Sequence, residues 1–203
     1  MNYNILIAFF FGMVILAATP GPGVFASLAR ALSDGFGTSL YFILGLAIGD
    51  MIFLNLALWG LSFIASMLGN LFLIIRTVGG VYLIYLGLKM IRSTQFEIQT
   101  ETVAKENKIQ TVVSGVLLTM GNPKPILFYA SVLPTIIDFN TVRIIDAVMM
   151  SVLIALVSLT VLGTYCYLAS LSKKLILNNN FQKRIHLIAG SVLIIVGIFV
   201  LIP

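Results

Sequence analysis

Thr19-Pro20-Gly21-Pro22-Gly23 and Gly121-Asn122-Pro123-Lys124-Pro125 lie inside two apolar segments of this chain of 203 residues. A proline inside a helix removes a backbone donor and clashes with the preceding turn, so two prolines one residue apart should interrupt the helix. The first stretch also carries two glycines, which weaken a helix further. We therefore predict that two helices of this protein are broken, each at a Pro-x-Pro element.

The composition around these elements is that of a membrane protein. Apolar residues make up 60% of the chain, charged residues only 9%, and the mean hydropathy is +1.09. A soluble domain needs more charge to cover its surface. The apolar stretches have the length that crosses ~30 Å of hydrocarbon. We predict an all-α membrane protein with six transmembrane helices at about Ile5–Leu28, Thr38–Leu61, Leu71–Ile91, Thr111–Leu133, Ile144–Leu171 and Ile185–Ile202.

Basic residues are distributed unevenly between the two sides of these helices. Nine of the twelve Lys and Arg residues lie on connections one, three and five or on the helix ends beside them. The positive-inside rule then places these connections in the cytoplasm and both termini outside. The first 29 residues hold no Lys or Arg, which argues against a cleaved signal peptide.

The second half of the chain repeats features of the first. At a constant offset of 103, Gly12, Pro20, Pro22 and Phe25 match Gly115, Pro123, Pro125 and Phe128. At an offset of 110, a weaker match aligns Arg76, Gly80 and Gly87 with His186, Gly190 and Gly197. Because three helices per half is an odd number, the second half should enter the membrane inverted, as in many secondary transporters.

This pattern predicts a single transmembrane transporter domain over residues 1–203. Its two inverted three-helix repeats would cover about 1–92 and about 110–203, with a cytoplasmic loop at about 93–109.

The two breaks should flank the membrane midplane from opposite sides. Each would start a new half-helix, at about Gly23 and Ile126, whose N–H groups and positive dipole end suit a carboxylate. Asn122 could cap the second half-helix. The alternative is a pair of structural kinks that bind nothing. The candidate substrate-binding residues at the breaks are Thr19, Pro20, Gly21, Pro22, Gly23, Asn122, Pro123 and Lys124.

Asp50 is the only acidic residue well inside a predicted span, and it completes the candidate site. A carboxylate at that depth is costly unless it is paired, hydrated or protonated. It could bind a substrate ammonium group, carry a coupling proton, or balance Lys124 or Arg76. Lys124 could extend outward to the surface, form a cationic wall for a carboxylate, or pair with Asp50. We interpret Arg76 mainly as an interfacial anchor.

Other classes of function lack the residues they need. The single histidine, His186, lies at a helix start, and no His/Cys/Asp cluster indicates a metal site. There is no ATP-binding Gly-x-x-x-x-Gly-Lys-Ser/Thr loop and no Ser/His/acid set for hydrolysis. The one cysteine, Cys166, supports neither an internal disulfide nor a redox pair. We expect no enzymatic activity, no cofactor, no metal and no nucleic-acid partner, and an ion gradient as the driving force.

The motifs resemble those of the LysE/RhtB family of amino-acid exporters. They are Thr19-Pro20-Gly21-Pro22-Gly23, Gly49-Asp50, the stretch from Gly79 to Gly87, Gly121-Asn122-Pro123-Lys124 with Phe128, and Leu133-Pro134. The likeness covers nearly the whole chain, although Arg76 stands where relatives often have lysine. It implies efflux of amino acids or close derivatives from the bacterial inner membrane, driven by the proton motive force. It also implies that the proline motifs and Asp50 are functional, but it does not identify the substrate.

The leading hypothesis is a proton-coupled secondary exporter of an amino acid or similar zwitterion, with its site at the midplane between the broken helices. Its partners would be the small-molecule substrate, protons and the lipid bilayer, and a protein of this kind could form a homodimer. The main alternative is a passive channel or pore-forming subunit for small solutes, which would show no uphill transport. A membrane enzyme or redox relay and a structural subunit of a larger complex are further alternatives.

Overall fold

The computed structural model describes residues 3–67, 69–92, 107–171 and 179–202, and all regular structure in these ranges is helical. The eight α-helices of the described residues are α1 Tyr3–Ala18, α2 Pro22–Ser33, α3 Phe36–Met67, α4 Gly69–Arg92, α5 Lys108–Met120, α6 Pro123–Ile136, α7 Ile144–Leu171 and α8 Asn179–Leu201. A 3-10 turn, Phe139–Thr141, joins α6 to α7. Most of the predicted cytoplasmic loop at 93–109 lies outside the described residues.

The first and fourth predicted helices are each two helices in the structure. α1 and α2 are separated by three residues and bent by 58°, and α5 and α6 are separated by two residues. α2 begins at Pro22 and α6 at Pro123, earlier than the expected starts at about Gly23 and Ile126. The reason is that the first helical turn accepts proline, whose fixed φ suits the helix and whose missing N–H would have no helical partner there.

Two helices of the described residues are long and apolar enough to cross a membrane singly: α7, and α3 over Phe36–Gly60. The bent pair α1–α2 makes a third if it is counted as one span. Large apolar side chains cover the exterior, among them Leu56, Leu156 and Phe199, which are each more than 60% exposed. An apolar surface of this extent is typical of a protein in contact with lipid. The count of six spans stays a prediction from the sequence pattern.

α3 crosses α5 closely because small residues face each other there. Gly45 lies against the backbone of Gly115, and a Cβ added at Gly49 would stand 2.5 Å from the Cβ of Thr119. Small residues at a crossing let two helices in a membrane approach backbone to backbone. Asp50 follows Gly49 in α3, so this contact places Asp50 beside the end of α5.

α4 packs against α8 through four glycines in two facing pairs. Gly80 faces Gly197, and Gly87 faces Gly190. The sequence offset of 110 residues relates Gly80 to Gly190 and Gly87 to Gly197. It therefore relates the contact between Gly80 and Gly197 to the contact between Gly87 and Gly190. A twofold relation between the two helices would produce this pattern.

Candidate functional site

A small cavity lies where the two breaks meet α3 and α7. Its volume is about 50 Å³, which suits a few water molecules. Five of the nine predicted site residues line it, namely Gly21, Gly23, Asp50, Asn122 and Lys124. The structure therefore brings both breaks and the helix-two aspartate to one place.

The other four predicted residues surround the cavity without lining it. Thr19 and Pro20 are buried next to it, while Pro22 and Pro123 are exposed at the starts of α2 and α6. Each of these two exposed prolines is the first residue of its helix.

Asp50 contributes a carboxylate to the cavity. Its Oδ1 atom is buried and has no hydrogen-bond partner among the residues that the structure describes. Lys124 lines the same cavity, and the two charges interact electrostatically. A buried acceptor without a donor is costly, so this oxygen is the point in the cavity that most favours a proton or another cation.

The Lys124 side chain runs into the protein and reaches α1. Its Nζ atom donates hydrogen bonds to the carbonyl oxygens of Leu16 at 2.8 Å and Thr19 at 2.7 Å. The side chain is 8% exposed, so it does not extend outward to the surface. A cation at this position is favourable because the C-terminal end of a helix carries the negative pole of its dipole.

Two further carbonyl groups at the end of α1, those of Ile15 and Ala18, also have partners. Thr19 donates to the carbonyl oxygen of Ile15 from its N–H at 3.0 Å and from Oγ1 at 2.6 Å. The Tyr165 hydroxyl on α7 donates to the carbonyl oxygen of Ala18 at 3.1 Å. The break in α1 is therefore held by two other helices, α6 through its lysine and α7 through its tyrosine.

The two half-helix N-termini differ in what they offer a ligand. No side chain caps α2, and after Pro22 its first turn has N–H groups at Gly23 and Val24, which both line the cavity. In α6 the prolines at 123 and 125 have no N–H, and the N–H of Lys124 donates to Oδ1 of Asn122 at 3.1 Å. The expected cap by Asn122 is present, and it uses the one first-turn donor of α6. Only α2 can receive an anion through first-turn backbone N–H groups.

Sequence reasoning missed two polar residues of the cavity wall, Thr119 on α5 and Ser158 on α7. Thr119 could have been found, because it lies four residues after Gly115 and so on the same helix face. Ser158 lies in an apolar helix without a motif around it, and no sequence signal pointed to it.

The chain is similar in sequence to a known protein family over most of its length. A sequence model of the family described as LysE type translocator matches residues 14–203, which include both breaks, Asp50 and Lys124. The chain belongs to the LysE type translocator family. The resemblance that its motifs indicated is thereby confirmed.

Relatives of this LysE type translocator include membrane proteins of several bacteria. It is 35% identical to an uncharacterized membrane protein of Synechocystis sp. over 208 residues, which cover 100% of this chain and 98% of the relative. It is 29% identical to the membrane protein YrhP of Bacillus subtilis, over 92% of this chain and 91% of the relative. It is also 29% identical to a leucine efflux protein of Klebsiella pneumoniae, over 69% of this chain and 65% of that protein. No solved structure matches the chain.

Proposed function

We propose that this LysE type translocator exports an amino acid or a closely related zwitterion from the bacterial cytoplasm across the inner membrane, in exchange for protons. The observation that carries this proposal is one cavity that joins an uncapped helix N-terminus with the Asp50 carboxylate, whose buried Oδ1 has no hydrogen-bond partner among the described residues. The first suits a substrate carboxylate and the second a cation. Family membership and relatives named leucine efflux proteins support the same class of substrate.

The substrate carboxylate would bind at the start of α2. Gly23 and Val24 provide backbone N–H groups there, and Gly21 leaves the approach free of a side chain. The positive end of the α2 dipole adds to the attraction. α6 would contribute little to this contact, because its first-turn donors are absent or used.

Asp50 would couple transport to the proton gradient. Its Oδ1 has no hydrogen-bond partner in the described part of the chain, and a proton would compete for it with an ammonium group, supplied by the substrate or by Lys124. Competition of this kind is what proton antiport needs, since only one of the two is carried in each direction.

We further propose that the protein spans the membrane six times as two inverted repeats, with both termini outside. The paired breaks, the exchanged glycine pairs of α4 and α8, and the distribution of basic residues support this arrangement. A cavity of about 50 Å³ is too small for a whole amino acid, so loading would require the two halves to move apart. Rocking of one repeat against the other around a fixed site is the common solution in such transporters.

The test is counterflow of labelled L-leucine and other amino acids in proteoliposomes with an imposed proton gradient. We expect uphill accumulation that ends when the gradient is collapsed, and its loss in Asp50→Asn. Asp34→Asn, which changes an exposed carboxylate at the end of α2, should leave accumulation intact. Downhill flux that ignores the gradient would instead favour the passive channel, and unchanged uphill transport in Asp50→Asn would remove the coupling role.

A further inference from the structure

The break in α1 creates a helix end inside the protein. The last carbonyl oxygens of a helix lack intrahelical donors and need partners from elsewhere. At this end a single group, the ammonium of Lys124, bonds two of them, on Leu16 and Thr19. We call these two carbonyl oxygens the carbonyl pair.

The carbonyl pair has the chemistry of a binding site for a primary ammonium group. Both oxygens carry partial negative charge, and they lie at the negative end of the α1 dipole. Their spacing lets one nitrogen donate to both, at 2.8 and 2.7 Å. A primary ammonium on a small ligand presents the same three N–H donors as a lysine, so the pair does not distinguish between them.

The cavity borders the carbonyl pair on the side of Leu16, and Thr19 is buried next to it. Leu16 and Lys124 both line the cavity, and so does Gly21. A Cβ added at Gly21 would stand 3.6 Å from Nζ of Lys124, so the glycine leaves open space directly beside the bound ammonium.

A second partner for the Lys124 ammonium lies in the same cavity. Asp50 lines the same cavity, and its buried Oδ1 has no hydrogen-bond partner in the described part of the chain. A lysine side chain has four rotatable bonds and a compact charge, so its ammonium can change partners without a change in the backbone.

We propose that the carbonyl pair of Leu16 and Thr19 is the ammonium subsite of the transport site, filled by Lys124 in this structure and taken over by the substrate ammonium as Lys124 moves to Asp50. This inference rests on the proposed export function for the nature of the substrate. The exchange keeps the charges balanced, with one ammonium on the carbonyl pair and one at Asp50. It also makes substrate and proton exclude each other, because Asp50 cannot hold a proton while it pairs with Lys124.

The subsite can be tested by chemical rescue of Lys124→Ala. The substitution removes the side chain from Cγ to Nζ, and n-propylammonium supplies the same atoms. In purified protein we expect n-propylammonium, at about ten times its Kd, to raise the thermal midpoint of the variant by about 3–5 °C. Tetramethylammonium, a cation without N–H groups, and 1-propanol, a chain without charge, should not raise it.

Two controls define the specificity of the rescue. Lys89→Ala, which changes an exposed lysine of α4, should rise with n-propylammonium no more than the wild type does. The wild type should rise less than Lys124→Ala, because there the ligand has to displace Lys124 from the carbonyl pair. Lys124→Met keeps a stem as long as Cε and lacks only the nitrogen, so it serves as the second variant, to be stabilised by the ammonium ion if Lys124→Ala does not fold. Absence of stabilisation of Lys124→Ala by n-propylammonium and of Lys124→Met by the ammonium ion overturns the subsite.

The takeover can be tested by footprinting of Lys124 in the wild type. Acetylation by acetic anhydride, measured by mass spectrometry, should rise several-fold at Lys124 when a transported amino acid is added and stay constant at Lys89. The N-acetyl derivative of the same amino acid, which has no ammonium, should leave Lys124 protected. Unchanged protection with the transported amino acid would remove the takeover.

Failure of the subsite and failure of the export function give different results. Rescue without any uphill transport in proteoliposomes keeps the ammonium subsite and removes the exporter. Uphill transport without rescue keeps the exporter and places the substrate ammonium elsewhere.

Discussion

Gly87 on α4 and Gly190 on α8 each occupy the space in which the other would place a side chain. A Cβ added at Gly87 would stand 2.5 Å from the carbonyl oxygen of Gly190, and one added at Gly190 would stand 2.7 Å from the carbonyl oxygen of Gly87. Because backbone atoms form both obstacles, neither can move away as a flexible side chain would. The crossing of α4 and α8 thus depends on the absence of two methyl groups.

We predict that Gly87→Ala and Gly190→Ala each lower the thermal midpoint in detergent by roughly 2–12 °C, since overpacking costs about 1–3 kcal/mol and this chain length gives about 2–4 °C per kcal/mol. Gly60→Ala in α3 is the matched control. A Cβ there would meet nothing within 4 Å, and alanine favours a helix by about 0.5–1 kcal/mol over glycine. Its midpoint should stay constant or rise, and equal losses in all three variants would contradict the prediction.

Asp50→Asn should separate stability from transport. The substitution keeps the shape of the side chain and removes a buried charge whose Oδ1 has no described partner. We expect an unchanged or higher thermal midpoint together with a loss of uphill transport of about tenfold or more. A variant that unfolds more easily and also fails to transport would show that Asp50 is a structural partner instead.

Gly21 should tolerate a small side chain and reject a large one. Its φ of −177° is extended backbone that any residue can adopt, and a Cβ would stand 3.5 Å from Cδ and 3.6 Å from Nζ of Lys124. Gly21→Ala should therefore change the thermal midpoint by no more than about 2 °C. Gly21→Leu should displace the Lys124 ammonium from the carbonyl oxygens of α1 and lower the midpoint further than Gly21→Ala does. Equal midpoints for the two variants would argue against this contact.

Tyr165→Phe should weaken the support of α1 by α7. It removes the hydroxyl that donates to the carbonyl oxygen of Ala18 at 3.1 Å, and a hydrogen bond of this kind contributes about 0.5–1.5 kcal/mol. We expect the thermal midpoint to fall by roughly 1–6 °C. Tyr167→Phe, at a half-exposed position of the same helix, is the control and should show no fall.

The predicted orientation can be measured by cysteine labelling of intact cells. Cys166 is buried, and Cys166→Ala provides a background free of cysteine. In that background an impermeant maleimide should label Asp138→Cys, between α6 and α7, and spare Asp34→Cys, between α2 and α3. The reverse pattern would place both termini in the cytoplasm, opposite to the orientation that the positive-inside rule predicts.

The prolines allowed helix boundaries to be predicted near residues 20 and 123, because proline acts within one turn of its own position. α1 ends at Ala18, before Pro20, and α2 begins at Pro22, whereas α5 ends at Met120 and Pro123 and Pro125 both lie in the first turn of α6. α7 has the bounds that were expected for the fifth helix, because its apolar run stops sharply at both ends. The family assignment followed from motifs that lie along the chain.

The partners of Lys124 could not be predicted in the same way. Its Nζ donates to the carbonyl oxygens of Leu16 and Thr19. Because every residue has a backbone carbonyl, the sequence does not indicate which carbonyl groups accept these hydrogen bonds. Tyr165 raises the same difficulty, because its hydroxyl also finds a backbone oxygen of a distant helix. One difference between the two breaks could be predicted from the sequence. Because proline has no N–H, Pro123 and Pro125 remove two backbone donors from the start of α6.

The two breaks carry different central residues, Gly21 in one and Lys124 in the other. In the proposed arrangement of two repeats, two copies of residues 1–92 would bring together two helix ends rich in acceptors, with no lysine at either break to donate to them. Two copies of residues 110–203 would bring two copies of Lys124 and no equivalent of Asp50. One half of each kind matches donors to acceptors, and a single chain that contains both keeps that one-to-one ratio in every molecule made.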